Sequence, residues 1–341
     1  MIKTVRTALV GLGNVNRSLL QILINKNKQI ADRYNLNFVI VAVSDSSGIA
    51  VSESGFDCQM LLELKSRGSN VSALKAWVKG ASPEEIIDHC QPRLLVEATP
   101  VNLQTGIPGL QIAKHALSKG VGVVLANKGP LVMAFDELMA LKKKHQAELA
   151  YSATVCGGLP VINLLARDLK GVEFISLQGI FNATSNYVLQ ELAKGSNLQD
   201  AIAEAVRIGA AETDPSNDLS GQDTANKLYI IMKSVTDFAG KITDIKLNGI
   251  QGVDQQTIWQ AKKRDETIKL MASAKKENNQ WGLSVKPVSV PASSFLGNCN
   301  GWEMGIEVKT DLYESISIKT YEAEPLGTAA AVLRDMIDVV R

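Results

Sequence analysis

Residues 8–20 read ALVGLGNVNRSLL. They close a short apolar run, VRTALVG (5–11), and open a stretch where Val15, Leu19, Ile22, Leu23, Ile30 and Tyr34 recur at helical spacing. The pattern is strand, glycine turn, helix. Gly11 and Gly13 fill the first two places of G-x-G-x-x-G, and Asn16 stands in the third. The first glycine permits the tight turn. The second lets backbone approach a pyrophosphate at the helix N-terminus, where unpaired N–H groups and the positive end of the helix dipole favour an anion. The third only draws helix to strand, so Asn16 predicts looser packing there. A bare strand-to-helix turn is the plain alternative. The position in the first βα unit, with Asp45 ending the next strand, favours a dinucleotide held by Gly11, Gly13, Asn14 and Val15.

Working outward, FVIVAVSD (38–45) is a β-branched strand ending at Asp45. Its carboxylate is placed to accept ribose hydroxyls and to repel a 2′-phosphate, which favours NAD over NADP. Ser46 and Ser47 offer the opposite reading, hydroxyls for a phosphate, and a strand-end Asp capping the next turn is the plain alternative. SPEE (82–85) carries the signs of a capped helix start. LLVEATP (94–100), GVGVVLANK (120–128) and AELAYSA (147–153) read as further strands, with helices at about 108–119 and 134–146. Near-continuous apolar strands alternating with helices predict a parallel sheet covered on both faces.

Beyond 152 the pattern changes. GLPVINLLARDL (158–169) reads as helix and VEFISLQGIF (172–181) as a long strand. Helices are expected at 184–194, at 197–208 with a capping box in SNLQ, and at 220–238. Residues 241–280 give no clear assignment. Strand-like runs follow at 284–290, 303–309 and 314–320, then a helix from about Gly327 to 340. The expectation is an α/β Rossmann-type domain over 1–151, onto which the last helix (327–341) packs back, and an α+β domain over 152–320 with a mostly antiparallel sheet.

Composition narrows the partners. The 341 residues hold 36 Lys and Arg against 35 Asp and Glu, which gives no electrostatic case for nucleic acid or a membrane surface. Cys58, Cys90, Cys156 and Cys299 are far apart, so neither a disulfide framework nor a zinc site is expected. Apolar runs are of strand length only. A soluble, cytoplasmic protein is the reading.

One segment points to chemistry. AETDPSNDLSGQDTANKLYII (211–231) gathers Glu212, Asp214, Asp218 and Asp223 ahead of a helix carrying Lys227. Asp223 and Lys227 lie four apart, acid first, and so share a helix face. A surface ion pair is the bland reading. Against it, Leu228, Ile231, Met232 and Val235 surround the lysine. His89, His115 and His145 all lie in segments that look like exposed helix or linker, so acid–base work falls to lysine and carboxylates.

TDPSNDLSGQDTANK resembles the T-E-P-D-P-x-D-D-L-x-G-x-D-x-x-x-K segment of homoserine dehydrogenases. ATVCGGLPVI (153–162), IFNATSNYVLQEL (180–192), ANKGPL (126–131) and AEPLGTAAAVLRDMI (323–337) are similar to further blocks of that family, in family order, over nearly the whole chain. The resemblance implies NAD(P)-linked interconversion of L-homoserine and L-aspartate 4-semialdehyde, in threonine and methionine biosynthesis. It places Lys227 on the reacting oxygen, with Asp223 orienting it. Lys128 would reach the same oxygen or the nicotinamide ribose. Glu212 and Asp218 would take the substrate ammonium. The helix start at Asn182 and Thr184 would take its carboxylate. Ser46, Thr99 and Asn127 join Lys128 in the cofactor set. The resemblance also implies a homodimer through the second domain, VEFISLQGIF extending a sheet across a two-fold axis, and a short form without kinase or regulatory domain. Duller readings stand beside these: Lys128 as a solvated strand-end lysine, Glu212 and Asp214 as turn residues, Asn182, Thr184 and Asn186 as helix-cap residues, Tyr187 as core.

Departures from the family pattern bear on substrate and cofactor. Asn16 replaces a glycine. Ser152 stands where the family has the Glu ligand of a monovalent cation, which leaves only the backbone oxygens of Val155, Gly157 and Leu159. Asn217-Asp218 replaces an Asp pair. TYEAEPLG, with Glu322 and Glu324, replaces a glycine-rich turn. These changes keep two alternatives open: a dehydrogenase of another amino-alcohol or amino-aldehyde, and a dinucleotide-binding protein without catalysis.

Overall fold

The computed structural model describes residues 1–208, 211, 214–322 and 326–341. The chain divides into two compact units, Met1–Gly158 with Pro325–Arg341, and Leu159–Glu324.

In the first unit β1 (Lys3–Val10), α1 (Asn14–Tyr34), β2 (Leu36–Asp45) and β3 (Gly48–Val51) are followed by α2 (Cys58–Ser66), β4 (Trp77–Val78) and α3 (Pro83–Cys90). Then come β5 (Leu94–Glu97), α4 (Gly109–Ser118), β6 (Gly122–Leu125), α5 (Gly129–His145) and β7 (Leu149–Ala150). The sheet order is β4-β3-β2-β1-β5-β6-β7. β1 runs parallel to both β2 and β5, and β5, β6 and β7 continue parallel. β5 and β6 are buried along their whole length, as strands covered on both faces must be. With β2 on one side of β1 and β5 on the other, the strand order reverses between β1 and β5. The crevice for a dinucleotide opens at that point, at the carboxyl ends of the strands.

Two features differ from the sequence reading. β3 and β4 add an antiparallel edge. β7 is two residues long, not seven, because the chain leaves the sheet at Ser152, whose N–H and hydroxyl both donate to the buried Asp335 carboxylate.

The second unit holds α6 (Val161–Asn163), β8 (Phe174–Ile180), α7 (Ala183–Ala193), α8 (Leu198–Arg207), α9 (Ser216–Leu219) and α10 (Gln222–Val235). It continues with β9 (Lys246–Leu247), α11 (Gln255–Lys263), β10 (Glu266–Glu277), β11 (Gln280–Pro291), β12 (Glu303–Thr310) and β13 (Ile316–Tyr321). The sheet order is β13-β12-β8-β10-β11-β9, antiparallel except for the β11–β9 pair. β8 is hydrogen-bonded on both sides, to β10 and β12, so it cannot extend the sheet into another chain. The edges are β13 and β9.

The unassigned stretch 241–280 resolves into β9, α11 and the first arm of a twelve-residue-per-strand hairpin. Asn278 and Asn279 turn it, with φ of 49° and 59°, the left-handed pair that a two-residue hairpin requires. The expected helix over 158–169 is instead α6 running into a wider π turn over Leu164–Asp168, which brings Leu165 and Leu169 into the core. α8 is capped by Asn197, whose side chain accepts from Asp200 N, and not by a box on Ser196. The last helix, α12 (Leu326–Val340), lies on α1 in the first unit, where Ala329, Val332 and Met336 join Leu19 and Leu23 in one core.

Candidate active site

Gly221, at φ 81°, starts α10 after the acid-rich stretch, and α10 puts Asp223 and Lys227 on one face. The two form an ion pair at 2.7 Å, with side chains 8% and 14% exposed, so this is no solvated surface pair. Lys227 Nζ also donates to the Phe181 carbonyl at 2.6 Å, just beyond β8. One residue on, Asn182 caps α7, accepting from Ser185 N. Its amide then donates to Asp223 Oδ2 at 2.9 Å and to Asp218 Oδ1 at 2.6 Å. A strand end, two helix starts and four side chains therefore converge. The ammonium of Lys227 is fixed by a carboxylate and a carbonyl, and two carboxylates are aligned by one amide. Thr184 is buried in the first turn of α7.

The first unit carries the nucleotide features. Gly11 has φ 83°, and a Cβ there would stand 2.5 Å from the Ala98 carbonyl, so only glycine fits. Around Gly13 the space where a Cβ would point is open. α1 begins at Asn14 with Val15 half-buried behind it, which leaves N–H groups at the crevice. Asn16 is fully buried and its amide donates to the Val10 and Gly11 carbonyls. The contact between helix and strand is therefore laced by hydrogen bonds, where the sequence predicted a looser fit.

Asp45 ends β2 with both oxygens occupied. Oδ1 accepts from Ser47 N and Oγ; Oδ2 accepts from Lys65 Nζ at 2.9 Å and Val71 N at 3.0 Å. Burial pushes this carboxyl up, but those hydrogen bonds together outweigh it and hold the group below the usual range. Ser46 is exposed. Thr99 follows β5, Asn127 follows β6, and Lys128 stands half-buried at the start of α5.

Residues 11–152 match the family described as homoserine dehydrogenase, NAD binding domain, and residues 160–337 match the family described as homoserine dehydrogenase. The chain belongs to the homoserine dehydrogenase family. It is 34% identical over 332 residues to the homoserine dehydrogenase of Methanocaldococcus jannaschii, covering 97% of each chain. It is 29% identical to an NAD(+)-dependent homoserine dehydrogenase of Pseudomonas canavaninivorans, over 98% of this chain and 96% of that one. Its fold matches a hyperthermophilic archaeal homoserine dehydrogenase in complex with NADPH at a TM-score of 0.84, with 26% identity over 99% and 98% of the two chains.

Against that family the departures now have places. Asn217 is exposed, whereas Asp218, the carboxylate retained, is the one that takes the Asn182 amide. Ser152 gives its hydroxyl to Asp335 and receives one hydrogen bond from Arg334 at 2.8 Å, so it is committed inside the first unit. Val155 and Leu159 are buried, Gly157 is half-buried, and among the described residues no three His, Cys, Asp or Glu side chains cluster as metal ligands. Among the described residues the side chains do not make a charged cation site. Glu212 and Glu324 lie outside the described residues. Glu322 follows β13, its N–H on the Trp302 carbonyl.

Sequence reasoning missed three participants. The Phe181 carbonyl has no sequence signature. Lys65, which pairs with Asp45, lies twenty residues downstream. Glu97 is a fully buried carboxyl ending β5, and burial pushes it up to about 7. Its signal was visible: an acid closing an otherwise apolar strand, in LLVEATP.

Proposed function

We propose that this chain catalyses the NAD(P)-linked interconversion of L-homoserine and L-aspartate 4-semialdehyde, with Lys227 as the group on the reacting oxygen. The observation that carries the reading is the Lys227 ammonium held between Asp223 and the Phe181 carbonyl, beside the Asn182–Asp218 pair. A dinucleotide, when bound, would supply or take up the hydride. In aldehyde reduction, charge grows on the carbonyl oxygen; a positioned ammonium stabilises that charge and then delivers a proton, completing the alcohol. In the reverse direction the same side chain accepts the hydroxyl proton as hydride leaves carbon. Asp223 keeps the ammonium oriented. Asp218, and Glu212 with it, receive the substrate ammonium, and the first turn of α7 at Thr184 offers backbone N–H to its carboxylate. Lys128 serves the nicotinamide ribose. Assay of L-homoserine oxidation tests the reaction; turnover on a different amino-alcohol with none on homoserine would replace the substrate.

For the cofactor the reading is NAD, resting on the ionised Asp45 at the end of β2. Lys65 neutralises part of that charge, so the preference is a modest one. The test is the ratio of kcat/KM for NAD and NADP in wild type and Asp45→Asn; a wild-type ratio favouring NADP would make Lys65 the reader of a 2′-phosphate. No step is assigned to a monovalent cation. A homodimer through the second unit is the expected assembly, and sedimentation velocity would show it.

A further inference from the structure

Glu97 is the one fully buried carboxyl at the carboxyl end of the central strands among the described residues, and nothing in the proposed chemistry uses it. It closes β5, paired with Val10 of β1 on one side and Leu125 of β6 on the other. It therefore stands where β1 runs into the Gly11 turn and β6 runs into Asn127 and Lys128. Its Oε1 accepts from both donors of Thr99, the backbone N–H at 2.8 Å and the hydroxyl. The Thr99 hydroxyl in turn accepts from Asn127 Nδ2 at 3.2 Å, and Asn127 Oδ1 accepts from Gly129 N at 2.9 Å. This is a directed chain, amide to hydroxyl to carboxyl, running from half-buried Thr99 to the buried carboxyl, in which each bond polarises the next.

Two glycines show how tightly the chain is enclosed. A Cβ on Gly109 would lie 2.7 Å from Asn127 Nδ2 and 2.8 Å from Glu97 Oε2. A Cβ on Gly11 would lie 2.5 Å from the Ala98 carbonyl, the residue between Glu97 and Thr99. The Asn127 amide also bears on the Glu97 carboxyl, whose Oε2 is buried. Burying a carboxyl costs stability. A glutamate kept at that cost on a strand otherwise made of Leu and Val points to a role besides packing.

We propose that Glu97 is a positioning residue for the dinucleotide: through Thr99 and Asn127 it fixes the Gly11 turn and the Asn127–Gly129 turn in one register, and with the latter the placement of Lys128. The proposal rests on Lys128 acting at the nicotinamide ribose. Glu97 acts through these neighbours; it sets the angle at which α5 starts and hence where Lys128 leaves the backbone.

The test compares Glu97→Ala, Glu97→Gln, Lys128→Ala and the double variant Glu97→Ala/Lys128→Ala in the full chain. It reads melting temperature, dinucleotide affinity by fluorescence, kcat and KM. Glutamine keeps the acceptor for both Thr99 donors, so Glu97→Gln should stay within about threefold of wild type, while Glu97→Ala loses on the order of 10- to 100-fold in kcat/KM for the cofactor. On the Lys128→Ala background the Glu97→Ala loss should shrink, leaving only the part that passes through the Gly11 turn. Undiminished loss on that background, or full activity in Glu97→Ala, overturns the proposal. Full activity in Lys128→Ala alone would instead overturn the role given to Lys128, and the Glu97→Ala comparison of cofactor affinity would still test the bracing of the Gly11 turn. Should Glu97→Ala fail to fold, Thr99→Val removes the hydroxyl from the middle of the chain and must show the same loss.

Discussion

At the residue scale, the site is a matter of what a lysine needs in order to act on oxygen. Its ammonium must be held still without being neutralised beyond use. The Asp223 carboxylate and Phe181 carbonyl do that at 2.7 and 2.6 Å. Lys227→Ala should lower kcat by roughly 10²- to 10⁴-fold and leave dinucleotide affinity unchanged, since its proposed role is on the reacting oxygen of the substrate. Stopped-flow hydride transfer and fluorescence titration separate the two quantities; parallel loss of both would recast Lys227 as a folding residue. Asn182→Ala should raise KM for homoserine more than it lowers kcat, because it removes the amide that aligns Asp218 while Asp223 still holds the lysine.

Elements decide how such residues meet. Asp223 and Lys227 were legible in sequence because their partner lies one helical turn away, and the glycine turn was legible because its spacing is set by backbone alone. Asn182 was legible as a cap but not as the bridge between two carboxylates, since Asp218 and Asp223 are 36 and 41 residues away from it. The short β7 was misread for a related reason: AELAYSA is apolar enough for a strand, but Asp335, 183 residues further on, takes Ser152 out of it. The hairpin of β10 and β11 was missed although its Asn-Asn turn is a recognised signal; the charged, polar sequence on either side masked the alternation. Its left-handed turn gives a direct test. Asn279→Val puts a β-branched residue at φ 59° and should destabilise the fold by about 1–2 kcal/mol, measurable by urea unfolding.

For the whole molecule, buried ionisable groups set the pH dependence of stability. Burial pushes Glu97 from 4.5 to about 7 and Asp335 from 3.8 to about 6. Each keeps its proton longer folded than unfolded, so its contribution is complete below the unfolded value and is lost as pH rises through these windows, by at most about 1.4 kcal/mol per pH unit and group. Lys269 runs the other way. It is 3% exposed, with its amine on Asn186 Oδ1 and the Cys299 carbonyl, and burial lowers it from 10.5 to about 8. The folded chain sheds this proton first, so stability rises from pH 8 to 10.5 and falls again on acidification through that range. Lys269→Met should flatten that rise; an unchanged slope in a calorimetric series would assign it elsewhere.

Asn16 carries a lesson for anyone who would engineer this chain by sequence averaging. A profile-guided repair would restore glycine at that position to complete the fingerprint. Here the replacement would delete the amide that stitches α1 to the Val10 and Gly11 carbonyls, empty a fully enclosed space, and add the backbone freedom of glycine to a helix. The nominally ideal motif would be the weaker one, with a lower melting temperature and slacker grip on the dinucleotide.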